Sequence, residues 1–167
     1  MDLAEVRELF AYNAWANRVC FDALGAVPPP AYLRDLKSSH GGLHGTLCHI
    51  VWAEELWLAR WVARPGPAVA QGKDLATLAA ARARWERVET ERRGFVAAFP
   101  ERRLADTVVV RPTTGGEFVH PFPQMFRHVV DHSSYHRGQL VTLLRQLGIA
   151  PPHTGLIVYY RQAGQTG

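Results

Sequence analysis

Apolar residues recur along this chain with helical period in four long stretches, and the stretches are separated by short breaks rich in glycine and proline. The first runs from Asp2 to about Leu24, with Leu3, Val6, Phe10, Cys20 and Leu24 on one stripe; Gly25 and Pro28–Pro30 end it. The second runs from about Gly42 to Ala63, carries Trp52, Trp57 and Trp61, and stops at Pro65–Pro67. The third follows the cap candidate Asp74 and ends before Pro100, with Leu75, Leu78, Trp85, Val88, Phe95 and Phe99 as its apolar set. The texture then changes: Thr107–Arg111 and Glu117–His120 are rich in β-branched residues and flank Pro112–Gly116, which predicts a short hairpin. The fourth helix is predicted from near Pro121 to Leu147, with Gly148 as its stop and Pro151–Pro152 beyond. A short last helical turn, Leu156 to Gln162, is expected to pack across one end.

With no large sheet to cover them, the four amphipathic faces must bury one another. The economical solution is an all-α four-helix bundle with a β-hairpin before the last long helix. At 167 residues, 47% hydrophobic and 20% charged, the chain suits a single domain over 1–167. The run Val51–Trp57 carries two acids, so no membrane span is expected. The N-terminus lacks the basic start and apolar stretch of a signal peptide, so a cytoplasmic location is the default expectation. The net charge of +4 is spread through every segment, much of it beside acids at helical spacing. That distribution argues against a nucleic-acid partner, which calls for a concentrated stripe or tail. Cys20 and Cys48 form no close pair and are expected to be reduced and buried.

The chemistry lies in the histidines. In the fourth helix Met125, Val129, His132, His136, Leu140, Leu143 and Leu147 recur at intervals of three and four, one inward-facing stripe. His132 and His136 therefore stand where leucine would otherwise pack, and a buried imidazole needs a partner. Two imidazoles at i and i+4 share a helix face and can share an ion; the plainer alternative is a core histidine bonded to a carbonyl or tyrosine. His128 precedes them by one turn but lies about 80° off the stripe, at its rim. In the second helix His49 shares a core-facing side with Thr46, Ala53 and Leu56, and the small Ala53 leaves room beside its ring. Cys48 points about 100° away from His49 and is not expected to join it. His40 and His44, in the glycine-rich approach Ser38–Gly45, rank lower. Asn13 and Asn17 interrupt the apolar stripe of the first helix and are read as bundle-core amides that fix register. Arg137 is expected to pair with Glu54 or Asp131, and Gly138 to admit a close helix.

These pieces occur together in one family. Leu9–Arg18, Thr46–Ile50 with Glu54 and Trp57, His128–Leu140, Leu144–Gly148 and Pro151–Pro152 resemble, in order and over nearly the whole chain, the DinB-like or YfiT-like metalloenzymes, which are unrelated to the polymerase of similar name. The resemblance implies a four-helix bundle with an unusual connection order, often dimeric, and a divalent metal (zinc, nickel or iron) on three histidines. Those match His49, His132 and His136. It further implies a thiol-dependent S-transferase acting on small electrophiles in stress or detoxification, with a low-molecular-weight thiol such as bacillithiol or mycothiol as cosubstrate. Metal-dependent hydrolysis, or a non-catalytic metal- or ligand-binding stress-response dimer, are the alternatives. Relatives often carry an acid near the last turn, where this chain has Gly155.

Overall fold

The computed structural model of the chain describes residues 1–67, 75–111 and 115–163. Its long helices are α1 (Leu3–Gly25), α3 (Leu43–Trp61), α4 (Leu78–Ala98) and α5 (Phe122–Gln146). Short elements join them: α2 (Pro29–Tyr32), a 3-10 turn (Glu101–Ala105), β1 (Thr107–Val110), β2 (Phe118–Pro121) and the terminal α6 (Leu156–Ala163). The all-α bundle with a hairpin before its last long helix is therefore the observed architecture.

Each long helix starts and stops for a local reason. Asp2 caps α1 and forms a reciprocal capping box with Glu5. Thr77 caps α4 through a bond from the Ala80 amide, so that helix begins a few residues later than expected. The expected cap, Asp74, lies outside the described residues, as does part of the expected turn at 112–114. Pro121 closes β2 and leads into α5, whose far end is released by Gly148 at a φ of +73°. Pro28–Pro30 do more than end α1, since Pro29 opens the one-turn helix α2. β1 and β2 pair antiparallel, with Val108 opposite His120 and Val110 opposite Phe118.

The helices are not neighbours in chain order. α1 packs on α4 and α5, and α3 packs on α4 and α5, so the successive helices α1 and α3 stand on a diagonal. Two apolar clusters fill the interior. One gathers Phe21, Leu24, Leu43, Ile50, Trp85, Leu140 and Leu144; the other gathers Phe10, Leu58, Trp61, Phe99, Phe122 and Phe126. α6 closes one side of α1: Tyr159 packs on Tyr12 and Trp15, and the Tyr12 hydroxyl donates to the Thr154 carbonyl at 3.0 Å.

A buried polar network lies in the interior. Glu54 of α3 accepts from Asn13 Nδ2 (2.6 Å), Asn17 Nδ2 (2.8 Å) and Ser133 Oγ (2.8 Å) on one oxygen, and from Arg92 Nη1 (2.7 Å) on the other. The same two amides accept from Arg137 Nη1 at 2.7 and 2.8 Å, and Arg137 also reaches the Tyr12 hydroxyl. The expected pairing of Arg137 with an acid is thus corrected. Each asparagine stands between cation and anion, its oxygen facing Arg137 and its nitrogen facing Glu54, while the carboxylate is neutralised directly by Arg92. Arg92 in turn bonds Glu89. Burial alone would raise the Glu54 pKa; Arg92 and the bonds from Asn13 and Ser133 outweigh it and hold the carboxyl below its usual value.

Candidate functional site

His132 and His136 lie one turn apart on the face of α5 that meets α3, and α3 presents His49 to them. The ring centroids of His132 and His136 are 4.4 Å apart, those of His49 and His136 4.5 Å, and those of His49 and His132 5.0 Å. The structure therefore brings together the three residues that the sequence singled out. It adds a fourth. His40 stacks on His49 with centroids 4.0 Å apart and meets His136 edge-on at 5.1 Å. Donor atoms of His40, His49 and His136 all lie within 4.8 Å of one another, a spacing that could hold a metal ion. His132, expected as a ligand, is not in that set; it touches it through Nε2, which stands 3.1 Å from Nε2 of His49.

His40 reaches this place because of a glycine. A Cβ at Gly45 would lie 1.8 Å from the His40 carbonyl oxygen, so only glycine in the first turn of α3 lets that loop fold against the helix. The loop is pinned by a bridge between Ser38 and Gly41, with Gly41 at a φ of +82°. His44 points elsewhere, to the Tyr32 hydroxyl at 3.2 Å and towards Cys48 Sγ at 3.7 Å. Cys20 and Cys48 are buried and not disulfide-bonded, as expected, and Cys48 faces away from the cluster towards His44. His128 stays at the rim, edge-on to Trp57 at 4.9 Å and 5.8 Å from the ring of His132.

The electrostatics favour neutral rings with lone pairs to offer. Burial, and then the neighbouring His40, His136 and His132, push the His49 pKa down to about 3. Burial followed by His136 and His128 takes His132 down to about 4, against a small opposing pull from Glu54. His40 is lowered as well, by burial and His136. His136 Nδ1 lies 2.8 Å from Gln139 Oε1, an atom that can only accept. Nδ1 therefore donates to Gln139, which fixes the ring, the arrangement that orients a ligating imidazole. His49 shows the same need from the other side. Its Nδ1 is buried without a partner, and its Nε2 faces another Nε2. Two ligands of one tetrahedral ion at about 2.1 Å stand roughly 3.4 Å apart, so a divalent ion between these nitrogens fits with little adjustment.

Gln139 was not singled out in the sequence, although it follows His136 at i+3. Trp52 of α3 stacks beside His49 at 5.8 Å. Gly138 does not admit a close helix: a Cβ there would meet nothing within 4 Å. It instead lines a cavity of about 530 Å³ with mixed polar and apolar walls, beside Ser38, Ser39, Tyr135 and Gln139. A second cavity, of about 440 Å³ and mostly apolar, lies on the His128 side between Trp57, Met125 and the hairpin. Gly155, where relatives often carry an acid, is exposed with open space around it.

The family model described as DinB family matches residues 2–166. Protein DinB of Bacillus subtilis (strain 168) is 26% identical over 166 residues, covering 91% of each chain. A crystal structure of a DinB-like protein from Bacillus cereus ATCC 10987 superposes with a TM-score of 0.65 at 16% identity, over 84% of this chain and 91% of that one. With the model match spanning almost every residue, and the four-helix fold shared, this chain belongs to the DinB family.

Proposed function

We propose that this protein holds a divalent metal ion on His49, His132 and His136 and transfers a low-molecular-weight thiol to small electrophiles. The observation that carries this reading is the convergence of imidazoles from α3 and α5, one of them with its Nδ1 held by Gln139 Oε1. An ion of the zinc, nickel or iron class bound there would lower the pKa of a thiol or water brought to it. The protein's own groups do the rest. Gln139 and the stacked His40 and Trp52 hold the rings in place. Glu54, the buried carboxylate behind Ser133, is fully committed to Arg92, Asn13, Asn17 and Ser133 and offers no base. Activation of the nucleophile is therefore left to the ion. Two cavities lie to either side of the cluster along α5, one of mixed lining that includes Gln139 and an apolar one that includes His128, and two cosubstrates of different character need two such seats. The exposed Leu156, Ile157 and Tyr160 on α6 support a homodimer. A role in cytoplasmic detoxification belongs to the same proposal, and no described helix is long and apolar enough to cross a membrane.

The test is elemental analysis of tag-less protein, with His49→Ala and His132→Ala alongside. About one equivalent of metal in the parent and loss in both variants, with helical circular dichroism retained, is the expected result. Equal metal content in all three removes the proposal. Turnover of a model electrophile such as 1-chloro-2,4-dinitrobenzene should then require added thiol, and consumption without thiol would favour hydrolysis instead.

A further inference from the structure

The apolar cavity beside His128 has walls that describe its occupant. Trp57 of α3, Met125 of α5 and the hairpin residues Val110 and Phe118 supply apolar and aromatic surface around about 440 Å³, the volume range of a small-molecule site. One cation borders this surface. Arg60 lies with its guanidinium carbon 4.7 Å above the Trp57 ring. No carboxylate of the described residues lies within ion-pair distance of it, whereas Arg64, Arg82, Arg84, Arg92, Arg103 and Arg111 all have one. Its pKa is pulled below the ordinary value by burial, with no acid holding it up. A half-buried guanidinium without a counter-ion is poorly satisfied. The other polar groups of the wall are less available: His120 Nδ1 and Gln124 Oε1 bond each other at 3.2 Å, and His128 lies against Trp57. His128 lines this cavity, and its ring lies 5.8 Å from that of His132.

We propose that this cavity binds small amphipathic carboxylates, with an apolar or aromatic body against Trp57, Val110, Phe118 and Met125 and the carboxylate on Arg60. In the thiol-transfer reading, on which the role but not the binding rests, this is the seat of the electrophile, and the natural substrates are hydrophobic electrophiles bearing one carboxylate. The geometry suits both halves of such a molecule, because a guanidinium forms bidentate bonds to a carboxylate while stacked on an aromatic ring.

The chain has two methionines, Met1 and Met125, so methyl-13C methionine labelling gives one reporter in the cavity wall and one that does not line it. The probes are 4-phenylbutyrate and its neutral analogue 4-phenylbutan-1-ol, titrated into the full-length protein as purified. Saturable movement of the Met125 signal by the acid, with binding of the alcohol and binding of the acid to Arg60→Gln each weaker by about tenfold or more, is expected for loss of a charge-assisted bond. Should Arg60→Gln fail to fold, the acid–alcohol comparison on the parent protein decides alone. A stationary Met125 signal, or equal binding of acid and alcohol, overturns the proposal. Metal is assayed in the same sample, so a cavity that binds the acid in protein without metal upholds this inference while the metal reading fails, and the reverse is equally visible.

Discussion

His49 and His132 carry consequences for stability as well as chemistry. Their folded pKa values, about 3 and about 4, lie below the ordinary imidazole value of 6.5 that the unfolded chain regains. Below pH 6.5 the unfolded state takes up protons that the folded state refuses, so stability falls with pH through this window. The fall continues to about pH 4 for His132 and about pH 3 for His49. Glu89, whose carboxyl is raised by burial, contributes with the opposite sign, but equally in parent and variant. Urea midpoints of metal-free protein measured between pH 7.5 and 5 should therefore drop more steeply for the parent than for His49→Leu, and parallel curves would contradict the assignment. Much of this site was legible residue by residue. His132 and His136 stood on an otherwise apolar stripe, and a polar residue in such a place needs a partner. His40 was legible only as a lower-ranked candidate, because its position depends on a loop folding against Gly45 rather than on any periodic pattern. Gln139 was missed because its role is to bond His136, a contact that sequence spacing permits without requiring.

At the scale of the helices, the buried network around Glu54 joins all four: Asn13 and Asn17 from α1, Glu54 from α3, Arg92 from α4, and Ser133 and Arg137 from α5. It also links α1 to α3 across the bundle diagonal, where apolar packing alone would specify no register. Glu54→Gln removes the anion and leaves Arg92 and Arg137 buried with Glu89 as the remaining acid of the network. Breaking a buried pair on one side costs about 3–5 kcal/mol, and chemical denaturation should show a loss of that order. A change below about 1 kcal/mol would mean that the network is an exposed-type pair in effect. The helices themselves were readable from their period, and Asn13 and Asn17 from their interruption of it. α2 and the 3-10 turn were not, since four or five residues are too few to display a period. The connection order was available only from the family resemblance. A stripe of apolar residues says which face is buried, but not which of three neighbours buries it.

For the whole molecule, the histidine cluster joins α3 and α5, two of the four long helices that both apolar clusters draw on. α3 and α5 each send residues into one cluster (Leu43, Ile50, Leu140, Leu144) and into the other (Leu58, Trp61, Phe122, Phe126). His132 and His136 lie between the two sets on α5, whereas His49 lies within the first set on α3, between Leu43 and Ile50. An ion bound across α3 and α5 therefore ties together two helices that enter both clusters, and should stabilise the bundle as one unit rather than a local loop. Ligand linkage gives about 2.7 kcal/mol when free metal is a hundredfold above its dissociation constant. For a chain of this size each kcal/mol raises the midpoint by about 2–4 °C, so the expected rise is roughly 5–11 °C. Calorimetry should show it as one transition moving intact, with the calorimetric and van't Hoff enthalpies equal. His132→Ala should melt close to metal-free parent protein and gain nothing from added metal. A parent midpoint indifferent to zinc, nickel and ferrous iron alike would show that the four rings pack together for structural reasons. A rise confined to one of two separate transitions would show that the clusters unfold independently and that α3 and α5 do not couple them.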